Sequence, residues 1–124
     1  MNISKFTQKS VQAVQDLEKV TYEYGNQEVE QEHLLYALLT QEDSLILKLI
    51  EKMDINKEYF INVVKKALDA KVKVSGGDLR FGQYLNKSLV NAENEAKAMG
   101  DEYVSVEHLF LSLLTQPSPS MKKI

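Results

Sequence analysis

The chain contains no cysteine, so nothing in it points to an oxidising compartment, and neither a disulfide framework nor a cysteine-bound zinc can staple it together. It also lacks long apolar runs. The start Met1-Asn2-Ile3-Ser4-Lys5 carries no hydrophobic stretch of the signal-peptide kind. Runs such as Leu45-Ile46-Leu47 are far too short for a membrane span, which takes about 20 residues. A cytoplasmic protein without a transmembrane segment is the expectation. Charge of one sign is not in excess either: 15 Lys and Arg are interspersed with 18 Asp and Glu, for a formal net charge of −3. That leaves no electrostatic footprint for nucleic acid.

Catalytic and metal-binding patterns are missing as well. There is no HExxH around either histidine, His33 or His108. The adjacent Glu-His pairs point about 100° apart on a helix and cannot share one ligand. The glycines of Ser75-Gly76-Gly77-Asp78 lack a GxxxxGK[ST] context for phosphate. Each Ser and Asp is better used as a cap or turn residue than in a triad. The chain is therefore expected to be no enzyme, with no cofactor and no metal of its own. Its 124 residues and 14.1 kDa suit one compact domain that buries about two thirds of its unfolded surface.

What is present is a repeat. Glu32-His33-Leu34-Leu35 through Thr40-Gln41 returns as Glu107-His108-Leu109-Phe110 through Thr115-Gln116, an offset of 75 residues. The offset holds back through Val29/Val104, Gly25/Gly100, Glu18/Glu93 and Gln8/Gln83 to Phe6/Phe81. A register this long marks one supersecondary unit used twice. In the first copy Thr7 caps a helix with a stripe of Ser10, Ala13, Val14, Leu17, Thr21 and Tyr24, and Gly25 stops it. A short extended corner follows, then a second helix from about Glu30 to Thr40. Its core face is Leu34, Ala37, Leu38 and Leu39, and Glu30 and Glu32 occupy its first turn. Glu32 and Glu107 are expected to satisfy first-turn N–H groups, with His33 and His108 packed or hydrogen-bonded at the corners. Ser44 caps a third helix bearing Leu45, Ile46, Leu49, Ile50 and Met53. Asn56 caps a fourth bearing Tyr59, Phe60, Val63, Val64, Ala67 and Leu68. Asp54 sits between them, where a helix terminus prefers Gly.

In the second copy Gly82 replaces Thr7 as the cap. Leu85, Ser88, Leu89, Ala92, Ala96 and Met99 repeat the stripe, Gly100 stops it, and Ser105 caps the Glu107-His108 helix. After Pro117, Ser118 and Pro119 open a third helix in which Met121 answers Ile46 and Ile124 answers Leu49. The expected fold is all-α, with two tandem pseudo-symmetric repeats of about four helices each. Repeat one covers residues 6–74, a linker 75–80, and repeat two 81–124, incomplete at its third helix. With so little cover, Leu109, Leu113 and Leu114 are expected to be partly exposed or to find another partner.

The start Met1 to Lys9, the two Glu-His-Leu helices, the Ser75-Gly76-Gly77 linker and the run Met99-Gly100-Asp101-Glu102-Tyr103-Val104-Ser105-Val106-Glu107-His108-Leu109 resemble the amino-terminal domain of bacterial ClpB-type AAA+ disaggregases over essentially the whole chain. The resemblance implies a non-catalytic domain tethered ahead of the ATPase modules of a homohexamer, where ATP and Mg would be bound outside this chain. Its implied partners are exposed segments of unfolded or aggregated polypeptide, delivered to a central pore, and not nucleic acid or membrane. Thr7, Asp101 and Glu107 match polar positions of that family's substrate-binding surface. Leu85 and Leu89, in the groove between the repeats, are candidates for its apolar part, with plain core as the alternative. The chain departs from the pattern at Asp54, at Gly82 and at its end, with no Walker motif or pore loop. Two other readings are the adaptor-docking domain of a Clp protease ATPase and a free-standing helical adaptor.

Overall fold

A computed structural model describes residues 3–74 and 77–124; Ser75 and Gly76 of the expected linker lie outside them. The caps fall where the sequence puts them. Helix α1 (Gln8–Glu23) starts at Thr7, whose Oγ1 accepts the Ser10 N–H at 3.2 Å. Helix α3 (Leu45–Lys52) starts at Ser44 and α4 (Lys57–Asp69) at Asn56, each side chain accepting an N–H three residues on. Helix α5 (Gln83–Ala98) starts at Gly82, which has no side chain to cap with.

Helices α1 and α5 end alike. Gly25 and Gly100 adopt φ of 68° and 73°; the N–H groups of Gly25 and Asn26 turn back onto Tyr22 and Thr21, and those of Gly100 and Asp101 onto Lys97 and Ala96. This doubled closure satisfies carbonyls that a helix end leaves open. Helix α3 ends the same way with a side chain in place: Asp54 has φ 60°, its N–H bonds Glu51 and that of Ile55 bonds Ile50. A Cβ in the left-handed region is strained. Asp54→Gly should therefore stabilise the chain by about 1 kcal/mol, net of the freedom glycine gains when unfolded; a lower urea midpoint for the variant would refute this.

Helix α2 (Gln31–Leu39) packs against α1 and α4, and α6 (Val106–Thr115) packs against α5 while also touching α1, α2 and α3. The repeats are tied together by an exchange that helix periodicity does not announce. Strand β1 (Glu28–Val29) pairs in parallel with β2 (Arg80–Phe81), so Arg80, expected in the linker, belongs to a strand. Phe6 forms the matching bridge with Val104. The Thr7 N–H reaches the Val104 carbonyl at 3.0 Å and the Gly82 N–H reaches Val29 at 2.9 Å. Each copy's helix start is held by the other copy's corner. A Cβ at Gly82 would stand 2.7 Å from a Glu28 carboxylate oxygen and 3.3 Å from the Val29 carbonyl, so the missing side chain here makes room as well as forgoing a cap.

The apolar stripes bury less than their spacing implies. On α4 only Val64 and Leu68 are fully buried and Tyr59 is exposed; Leu45, Met53 and Met99 are exposed too. The second repeat, by contrast, is better closed than its few covering residues suggest. Leu109 and Leu113, 0% and 1% exposed, find another partner, and of the three only Leu114, at 57%, is left open. The cover comes from α2 and α3 of the first repeat, and from buried Met121 in the short 3-10 turn Met121–Lys123. Ser120 is the N-cap of that turn, and Ser118 Oγ accepts the Met121 N–H at 3.2 Å.

Candidate functional site

Offset pairing gives the domain two equivalent corners, one where Val104 meets Thr7 and one where Val29 meets Gly82. Each is organised by a buried histidine at the third position of its helix. In the first corner His108 Nδ1 accepts the Ser105 N–H at 2.9 Å, which places the proton on Nε2. That nitrogen lies 2.8 Å from the Asp101 carboxylate. The Val104 carbonyl takes both the Thr7 N–H and the Ser10 hydroxyl, the latter at 2.9 Å, while Thr7 Oγ1 is engaged with Ser10. Asp101 and Glu107 are exposed, and Glu107 has no ionic partner among the described residues.

The second corner is built alike and then plugged. His33 Nδ1 accepts the Glu30 N–H and its Nε2–H donates to Asn26, both at 2.9 Å. Glu32, the counterpart of Glu107, is 1% exposed. It does not satisfy first-turn N–H groups as expected. Its Oε2 instead meets Lys71 Nζ at 3.2 Å and accepts the Ser120 hydroxyl at 2.6 Å, while Oε1 finds no hydrogen-bond partner. Lys71 also reaches Glu30 at 2.8 Å. Burial pulls the Lys71 pKa down, but the hydrogen bond to Glu30 and the two carboxylate charges outweigh it and hold the ammonium above its ordinary value. Glu30 is itself the N-cap of α2 rather than a first-turn residue.

Burial, and then the Lys71 charge, lower His33 from 6.5 to about 4. The neutral imidazole is thus the folded form. An unfolded chain takes up a proton below pH 6.5 that the folded chain refuses until about pH 4. Stability should therefore fall as pH drops through that window, by about 3 kcal/mol in total. Urea titrations at pH 7 and 4.5 should show the loss in the wild type and a shallower one in His33→Gln; equal slopes would refute it.

Residues 5–124 match the family described as Clp repeat (R) N-terminal domain. The chain belongs to the Clp amino-terminal domain family. This Clp domain is 38% identical over 126 residues to chaperone protein ClpB of Nitratidesulfovibrio vulgaris, covering 98% of the chain and 15% of that protein. It is 40% identical over 129 residues to ClpB of Clostridium tetani, covering 100% and 15%. The chain thus spans about 15% of the length of the curated relatives it matches. Its fold is that of the Hsp104 N-terminal domain from Candida albicans, with TM-score 0.85 at 20% identity over 96% of this chain and 78% of that one. The N-terminal domain of the ClpV1 ATPase from E. coli is also similar, with TM-score 0.82 at 21% identity over 93% and 71%.

Within this Clp domain the structure brings Thr7 onto the corner that carries Asp101 and Glu107. It does not bring Leu85 and Leu89 to the surface. They are 0% and 3% exposed, because the stripe of α5 faces the core, although Leu85 lies beneath a cleft of about 480 Å³ between the repeats, bordered by Arg80, Phe81 and Tyr84. The apolar group that the open corner does offer is Tyr103, 51% exposed and two residues from Asp101. An exposed aromatic in a loop between two caps was its only signal in the sequence. A separate apolar groove of about 210 Å³ runs between Leu35, Ile50 and Phe60 on one side and Phe110, Leu114 and Met121 on the other. Among the described residues no group of His, Asp and Glu could hold a metal, and no helix is long and apolar enough to cross a membrane.

Proposed function

We propose that this domain binds exposed segments of unfolded or aggregated polypeptide at the corner of Thr7, Asp101 and Glu107. In this reading it passes them to ATP-driven unfolding modules of a longer chain assembled as a cytoplasmic homohexamer. It contributes recognition and no chemistry, and ATP and Mg belong to those modules. The observation that carries the reading is the inequality of the two corners. The same backbone is used twice, yet Glu32 is sealed by Lys71 and Ser120 while Glu107 and Asp101 stand open beside Tyr103. Two carboxylates and an exposed ring on a shallow surface favour contacts with peptide N–H groups, cations and apolar side chains. Such contacts tolerate many sequences and dissociate fast.

Titration with a permanently unfolded polypeptide, reduced and carboxymethylated lactalbumin, tests this. Glu107→Ala and Asp101→Ala should each weaken binding about fivefold, and Glu107→Ala should leave the melting midpoint in place because its side chain is exposed. Thr7→Ala should also weaken binding, but it removes a real cap and costs about 1 kcal/mol of stability, so Thr7→Ser is its control. Unchanged binding in all the alanine variants would refute the site.

A further inference from the structure

We infer that His108 is a positioning residue for peptide binding, holding Asp101 in the orientation in which its carboxylate meets the ligand. The inference rests on the proposed role of Asp101 and goes beyond it by naming what aims that side chain. Asp101 lies just past Gly100, on an exposed turn where a free carboxylate would sample several rotamers. His108 removes that freedom. The residue is 4% exposed. Nδ1 is committed to the Ser105 N–H at 2.9 Å, with the Ser105 hydroxyl at 3.0 Å, so the only N–H left to donate is at Nε2. That N–H lies 2.8 Å from Asp101 Oδ2. A buried, singly oriented donor thus fixes one carboxylate oxygen of a side chain that stays 48% exposed and so open to a ligand.

The other corner shows what the same device does without a carboxylate. His33 accepts the Glu30 N–H in the same way, but its Nε2 faces the neutral, buried amide of Asn26. There the histidine serves the fold alone. At His108 the partner is an exposed acid.

The two jobs of the ring can be separated by substitution. Asparagine can present an oxygen near the place of Nδ1, keeping the bond to Ser105 and losing the donor to Asp101. Glutamine can present an amide N–H near the place of Nε2, keeping the donor and losing the cap. The probe is reduced, carboxymethylated lactalbumin, with melting midpoints measured in parallel. His108→Asn is expected to weaken binding about fivefold while melting close to wild type. His108→Gln is expected to lose about 4 °C and to bind within twofold of wild type. Asp101→Ala should weaken the wild type about fivefold and add nothing to His108→Asn. If binding follows the melting midpoint across both variants, or if Asp101→Ala weakens His108→Asn as much as it weakens the wild type, His108 is only structural and the inference falls while the Asp101 site stands. If Asp101→Ala has no effect in the wild type, the site itself is wrong, and the inference goes with it.

Discussion

Replacing Lys71 by methionine should cost about 3 to 5 kcal/mol, among the largest losses any single side chain here can cause. The lysine lies beside Glu32, which is almost fully buried and already has one oxygen without a partner. Without the ammonium, a carboxylate in the interior keeps only the Ser120 hydroxyl. A loss of that size is a large fraction of the 5 to 15 kcal/mol that holds a typical domain folded. Adding Glu32→Gln to Lys71→Met should recover most of it, since the second change removes the stranded charge. Urea denaturation of the four members of this cycle measures the coupling. A cost under about 1 kcal/mol for Lys71→Met would show that water reaches Glu32 and that the corner is not sealed.

The second large effect concerns the equivalence of the repeats. Leu34 and Leu109 are separated by the repeat offset and neither has any exposed surface. Leu34→Ala and Leu109→Ala should each destabilise by about 3 kcal/mol, and by amounts within about 1 kcal/mol of one another. A much smaller loss for Leu109→Ala, accompanied by fast hydrogen exchange across residues 82–116, would mean that the second core is loosely packed despite its burial.

Much of this architecture could be read from single residues because their roles are local. Thr7, Ser44, Asn56, Gly82 and Ser105 stand at helix starts, and Gly25, Asp54 and Gly100 take left-handed conformations at helix ends. Capping depends on neighbours three or four residues away, which the sequence displays. What stayed hidden depends on residues far along the chain. Glu32 and Glu107 share the Glu-His-Leu run, and nothing near either says that Lys71 and Ser120 arrive to bury one of them. Strands of two residues have no measurable period, so β1 and β2 could not be seen. Tyr59, Met53 and Met99 fit helical stripes yet remain exposed, because a stripe records which face can be buried and not how far its neighbours extend. Leu85 and Leu89 show the converse: a place between two repeats proved to be interior.

The bridge between Phe6 and Val104 bears on how the domain is made. A polypeptide emerging from the ribosome can form α1 and α2 early, since they are neighbours in sequence. The hydrogen bonds that anchor its first turn, however, wait for a corner synthesised almost a whole domain later. Until then Phe6 and the Thr7 N–H have no place to go. Contacts this distant in sequence slow folding, because the chain between them must be gathered before they offer any return. Co-translational folding should thus halt at a helical intermediate with an open leading end. That end becomes ordered only once Val104 has cleared the exit tunnel, so the segment around Phe6 and Thr7, though made well before α6, cannot be secured ahead of the corner that leads into it.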